Sequence, residues 1–246
     1  MNRFRGLIFD VDGTMAETEE LHRRAFNESF AHFGLDWLWD QDLYRKLLLV
    51  TGGKERISHF QCERADESAG LDADQIAELH RFKTARYAEL VAGGSCPLRP
   101  GVAEIISSAR SNGQALAIAT TTSRGNVDAL LTPVLGSKWQ GLFNAIVAGD
   151  EVAKKKPAPD VYLSVLAALD LPASSCLAFE DSRNGLLAAQ SAGIPVVISR
   201  SMYFGDETFD GAFCVVQELS ELEAILSGGI PVAEKSDDPR RPSTIQ

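Results

Sequence analysis

The chain has few cysteines, few histidines, a deficit of positive charge and no long apolar run. Each shortage closes off a class of protein. Cys62, Cys96, Cys176 and Cys214 stand far apart, with no C-x-x-C pair and no Cys/His grouping at zinc spacing. Free thiols are therefore expected in place of a disulfide framework, a zinc module or a dithiol redox site. With 24 lysines and arginines against 34 aspartates and glutamates, the formal charge is −10. Nonspecific binding to nucleic acid or to an anionic membrane needs a basic surface, so neither is an expected partner. No stretch approaches the ~20 apolar residues of a membrane span, and the apolar run after Met1 is too short for a signal peptide, so a cytoplasmic protein is expected. The acidic balance leaves one opening. Charge is screened beyond about 8–10 Å, so an anionic ligand needs only a local group of cations or a bound metal.

What the chain does have is 246 residues, 45% of them hydrophobic, enough for a substantial core. Short runs rich in Ile, Val, Leu and Ala recur at "GLIFD" (6–10), "ALAIAT" (115–120), "NAIVAG" (144–149), "CLAFED" (176–181), "PVVIS" (195–199) and "AFCVV" (212–216). These read as buried strands. Helical patterns lie between them, over 102–112 and 161–169, and this alternation is the sequence form of an α/β fold with a Rossmann-like, doubly wound parallel sheet. Residues 17–92 break the rhythm. They read as consecutive helices with no strand among them, an inserted α-helical cap domain between the first and second strands. The expected organisation is core at 1–16, cap at 17–92, core at 93–227 and a polar, Pro-containing flexible tail at 228–246.

In "FDVDGT" (9–14), Asp10 and Asp12 follow the first strand two positions apart, close enough to repel. A solvated Asp-Gly turn accounts for them equally well if nothing else is nearby. Three more polar signals occupy the ends of other strands: Thr120 and Thr121 in "ATTTS", Lys156 in "KKKPAPD", and Glu180 with Asp181 in "FEDSRNG". Each alone also fits an ordinary role, as a helix cap, a solvated basic loop or an acidic helix start. Adjacent parallel strands lie ~4.8 Å apart, so residues at their ends can share one site. Such a set suits phosphoryl transfer. Carboxylates are hard ligands for Mg2+; one can attack phosphorus, another can pass the proton, and lysine and hydroxyl groups can bind the phosphoryl oxygens.

These four motifs, in this order, resemble those of haloacid dehalogenase superfamily phosphatases with a small helical cap, the group that includes β-phosphoglucomutase. The resemblance implies a nucleophile at Asp10, a general acid/base at Asp12, and Mg2+ held by Asp10, the main chain of Asp12, and Glu180 with Asp181. Thr120 and Lys156 fall at the phosphate-binding positions. The presence of Asp12 favours C–O–P chemistry over dehalogenation. "AETEELHRRAFNE" and "TGGKERI" further resemble the CbbY-type branch, which implies xylulose 1,5-bisphosphate, an inhibitor of Rubisco, as substrate.

The expected substrate contacts are Glu17, Glu20, His22, Gly52, Gly53, Lys54, Arg56 and Thr121, with Lys54 and Arg56 holding a distal phosphate and Glu20 and His22 the sugar hydroxyls. His32, His59 and His80 have no such context and are expected as surface or helix residues; Arg24, Arg124 and Arg183 lie near motif ends. The expectation is a monomeric, Mg2+-dependent sugar-phosphate phosphatase. A phosphomutase shares all four motifs, a phosphatase of broad specificity fits them too, and a regulatory module that has lost turnover is the alternative from outside enzymology.

Overall fold

The computed structural model describes residues 3–64, 70–93 and 96–222; the segment expected as a tail lies outside them. All six expected strands form: β1 (Gly6–Phe9), β2 (Ala115–Ala119), β3 (Ala145–Val147), β4 (Cys176–Glu180), β5 (Val196–Ser199) and β6 (Cys214–Val216). They pair in parallel in the order β3-β2-β1-β4-β5-β6. The order reverses between β1 and β4, a switch point where the loops at the strands' carboxyl ends diverge and leave a crevice.

Among the described residues, four helices lie between Glu19 and Ala92: α1 (Glu19–His32), α2 (Gln41–Leu47), α3 (Gly53–Glu63) and α4 (Ala73–Ala92). Asp40 caps α2, and an Asp72/Gln75 capping box starts α4, each satisfying amide groups that the first turn leaves unpaired. The other α-helices among the described residues are α5 (Val102–Ser111), α6 (Arg124–Leu135), α7 (Asp160–Leu169) and α8 (Arg183–Ser191). No helix among the described residues is long and apolar enough to cross a membrane.

Side chains alternate across each strand, and the core divides accordingly. Leu7 and Phe9, with Leu116, Ile118, Leu177 and Phe179, pack under α5 and α6, whereas Ile8, Ala117 and Ala178 face α7 and α8. Central strands covered on both faces must be apolar throughout, which is why β1 and β4 are buried at every residue. Phe9 stacks on Phe179 with ring centroids 4.6 Å apart, and burying one such side chain stabilises the fold by about 1.5–3 kcal/mol.

The helical insertion has its own aromatic centre, in which Trp39 meets Phe26, Phe30, Tyr44 and Phe60. Asn27 pins the chain there by accepting from the Trp39 amide and donating to its carbonyl, each at 2.8 Å. Where the chain returns to the core, the Arg99 amide donates to Met15 O at 2.8 Å. The buried Arg99 guanidinium also donates to the carbonyls of Gly13, Arg200 and Gln217 and to Glu218. One side chain thus ties the turn after β1 to the far side of the sheet.

Candidate active site

β1 stops at Phe9, level with Ile118 of β2 and Phe179 of β4. One residue further, Asp10, Ala119 and Glu180 share a row, and Lys156 reaches into it. Its Nζ donates to Asp10 Oδ1 at 2.6 Å, Glu180 Oε1 at 2.5 Å and Ala119 O at 2.8 Å, and the lysine side chain is only 4% exposed. Lys154 is exposed, so of the first and last lysines in the run only the last is drawn inside. Tyr162 of α7 donates its hydroxyl to Glu180 Oε1 as well. Ser123 and Ser182, rather than Thr121 or Asp181, cap the helices that follow, which leaves the motif residues free to face the crevice.

Burial, with the nearby Glu180 and Asp12 charges, outweighs Lys156 and pushes the Asp10 carboxyl up to about 8. Asp181 is held well above the usual carboxylate range by burial and by Asp10 and Glu180. The Lys156 ammonium, despite burial, is held more firmly than usual by Asp10 and Glu180. One ammonium is too little positive charge for three acids. Carboxylate oxygens of Asp10, Glu180 and Asp181 lie within 4.8 Å of one another, and Glu180 Oε2 and Asp181 Oδ2 are buried without a hydrogen-bond partner. Buried acceptors this close, all hard oxygen donors, fit a small divalent cation.

Glycines let the backbone close on these acids. A Cβ at Gly13, where φ is +78°, would lie 1.9 Å from Asp181 Oδ2, and one at Gly185 would lie 1.8 Å from Glu180 Oε2. Gly13→Ala is therefore expected to displace Asp181 and strain the turn, lowering stability by about 1–3 kcal/mol and weakening divalent-cation binding. Denaturant unfolding and metal titration of the variant check this, and unchanged values for both would contradict it.

Asp12 is turned to a different set of partners. Its Oδ1 accepts from Thr18 Oγ1 at 2.5 Å and from His22 Nε2 at 3.1 Å. Lys83 Nζ lies 2.6 Å from His22 Nδ1. With the ring held neutral by burial, Nδ1 accepts from Lys83 and Nε2 donates to Asp12. Burial alone would raise the Asp12 carboxyl, but His22 and Thr18 hold it below its ordinary value. Burial, then the Lys83 charge, lowers His22, and burial with Arg56 nearby brings Lys83 down to about 7. His22 is further fixed by stacking on Tyr87, with centroids 3.9 Å apart.

Two openings meet here. A small one of about 100 Å³ is bordered by Asp10, Asp12, Lys156, Asp181, Thr121, Gly52 and Arg56. A larger one of about 570 Å³ runs toward the insertion past His22, Gly52, Gly53, Lys54, Arg56, Lys83 and Thr121. Thr120 is buried at the end of β2, its hydroxyl accepting from the Thr122 amide at 3.2 Å. Arg183 borders the smaller opening, while Arg124 is paired with Glu151 and Arg24 with Glu28.

Glu17 and Glu20 border neither opening. Glu17 accepts from the Met202 amide at 3.2 Å, and Glu20 pairs with Arg23 and with the Tyr203 hydroxyl at 2.7 Å. Glu17 precedes the helix, and within α1 Glu19 and His22, three apart, share the face toward the crevice, which turns Glu20 aside. Arg56 borders both openings but is buried, donating to the carbonyls of Leu47 and Val50 and to the Tyr44 hydroxyl. Its guanidinium is largely occupied in holding the insertion together. Sequence reasoning missed Thr18, Glu19 and Lys83. The i, i+3 pairing of Glu19 with His22 was a usable signal, whereas nothing in "HRFKTARY" marks Lys83 as buried. His80, expected as an ordinary helix residue, borders the larger opening.

A family model for haloacid dehalogenase-like hydrolases matches residues 4–193. Protein CbbY of Rhodobacter capsulatus is 52% identical over 216 residues, covering 88% of this chain and 94% of that protein. The crystal structure of CbbY from Rhodobacter sphaeroides in complex with phosphate has a TM-score of 0.85 and 48% identity, covering 89% of this chain and 96% of that one. A mutant of that protein in complex with xylulose-(1,5)bisphosphate gives a TM-score of 0.85 at 47% identity, covering 89% of this chain and 96% of that one. The chain belongs to the haloacid dehalogenase-like hydrolase family and is a phosphatase of its CbbY type.

Proposed function

We propose that this phosphatase hydrolyses a phosphate ester of a sugar bisphosphate, xylulose 1,5-bisphosphate being the favoured substrate, through an aspartyl-phosphate at Asp10. The observation that carries the reading is the separation of two acids: Asp10 lies among Lys156, Glu180 and Asp181, whereas Asp12 is held apart by Thr18 and His22. The bisphosphate choice is supported by the xylulose-(1,5)bisphosphate complex of the similar Rhodobacter sphaeroides protein.

The Asp10 carboxylate attacks phosphorus, the P–O bond to the sugar breaks, and the departing oxygen takes a proton from the Asp12 carboxyl. Water then loses a proton to Asp12 and attacks the same phosphorus, releasing inorganic phosphate and restoring the Asp10 carboxylate. Because His22 and Thr18 favour ionised Asp12 in the free enzyme, it gains its proton only when the dianionic ester arrives beside it and raises its affinity. Lys156 and the Thr120–Thr121 segment bind the phosphoryl oxygens, where charge spreads in the transition state. Asp10, Glu180 and Asp181 would hold Mg2+, which when bound would favour the ionised form of Asp10 and offset the charge of the phosphoryl group. Lys54, exposed at the start of α3, is a cation for the far end of the ligand.

A panel of sugar mono- and bisphosphates assayed with Mg2+ tests this. Expected is inorganic phosphate released fastest from the pentulose bisphosphate, with no isomeric sugar phosphate formed and no activity after chelation. Isomer formation dependent on a bisphosphate primer would identify a mutase instead.

A further inference from the structure

For a protein of net charge −10 the larger opening is rich in cations: Lys54, Arg81, Lys83 and Lys155 line it beside His80, against three acids that include Glu55. The His80 ring is pushed down to about 3, first by burial and then by the charges of Lys83, Lys54 and Lys155. Two residues lining the opening form an ion pair. Lys155 Nζ, from the loop after β3, donates to Glu55 Oε1 of α3 at 2.7 Å. A Cβ on Gly52, which borders both openings, would lie 2.2 Å from Glu55 Oε2 and 2.7 Å from Lys155 Nζ. The pair therefore sits against the passage from the phosphoryl-transfer acids to the cationic cleft.

We propose that the Glu55 carboxylate occupies the place of a substrate anion on Lys155, and that the second phosphate of a bisphosphate substrate displaces it. The proposal rests on the bisphosphate reading above and adds residues to it, with a means of selection. The Lys155 and Glu55 side chains are 26% and 49% exposed, and a pair so open to water contributes little net stability. A dianionic phosphate brings twice the charge of the carboxylate to the same ammonium, with Lys54 beside it. A monophosphate has no second anion to make the exchange, leaves the pair closed across Gly52, and is discriminated against.

The test compares kcat/KM for a pentulose bisphosphate and the matching pentulose monophosphate. In Lys155→Met the bisphosphate-to-monophosphate ratio is expected to fall about tenfold, ~1.4 kcal/mol. In Glu55→Gln, KM for the bisphosphate is expected to fall about threefold, the size expected for removing a weak competing carboxylate. Adding Glu55→Gln to Lys155→Met should give no such gain, because there is no ammonium left to free. A merely structural ion pair would instead lower kcat/KM for both substrates in parallel and make Glu55→Gln a loss. That result overturns the proposal, as does a threefold gain that persists without Lys155. If the wild-type protein shows no preference for the bisphosphate, the substrate reading falls, and this proposal with it. If the preference exists and Lys155→Met leaves it intact, this proposal alone falls.

Discussion

Asp10→Asn is expected to lower kcat by about 10⁴-fold or more while leaving a folded protein. Removing a covalent nucleophile costs rate on this scale because the remaining groups can only bind and polarise the ester. The fold should tolerate the change well. Asp10 is one of three acids crowded around a single ammonium, and burial with the nearby Glu180 and Asp12 charges makes its ionisation costly enough to push it up to about 8. A neutral amide in its place relieves that crowding while keeping a hydrogen-bond acceptor for Lys156. A melting temperature equal to or above that of the unaltered protein should therefore accompany the lost turnover. Mass spectrometry of acid-quenched wild-type enzyme during turnover should find phosphate on the peptide containing Asp10, and the variant should show none. Metal-dependent hydrolysis surviving in the variant would remove the covalent mechanism.

Lys156→Met is expected to strike both stability and rate. The ammonium compensates Asp10 and Glu180 in a place that water does not reach, and breaking a buried pair from one side typically costs about 3–5 kcal/mol. For a chain of this size that corresponds to a fall in melting temperature on the order of 10 °C. The pH dependence gives the mechanism away. Without Lys156, the buried acids take up protons in the folded state that they have already released in the unfolded one, where carboxyl groups titrate near 4. Their folded values are raised, so stability is preserved at low pH and lost as pH rises. The gap between variant and wild type should widen above pH 8, where Asp10 of the wild type, held near 8, has released its proton and that of the variant has not, when followed by denaturant unfolding. A gap that narrows over this range would mean that Lys156 is not compensating those acids. Loss of a donor to the phosphoryl group adds a fall in kcat of about 10²–10³-fold.

Much of this architecture is legible in the sequence itself. The six strands were legible because a strand buried on both faces has to be an apolar run, and a run of four or five residues bounded by polar ones has little else to become. The acids and Lys156 were legible for a related reason. They interrupt those runs at their carboxyl ends, which a parallel sheet gathers along one edge. What failed was phase and depth. Glu17 and Glu20 were favoured over Glu19 because a shift of one residue at the start of α1 rotates every side chain by about 100°, and the helix start could not be placed that finely. Arg56 and Lys83 are charged residues in polar helices, patterns that read as solvent-facing. Arg56 is buried against α2 and Lys83 against α1, and that tertiary fact leaves no local trace.

The two places where the chain leaves and re-enters the core are stitched together: the Arg99 amide reaches Met15 O, and Cys96 Sγ lies 3.6 Å from Glu17 O. Because both crossings sit side by side, the sheet does not depend on what is strung between them. The insertion can be lengthened, exchanged or remodelled without pulling apart the edge that holds Asp10 and Lys156. In such an arrangement much of the insertion is free to change: new ligands can be reached by rewriting the helices, so long as Thr18 and His22 keep their hold on Asp12.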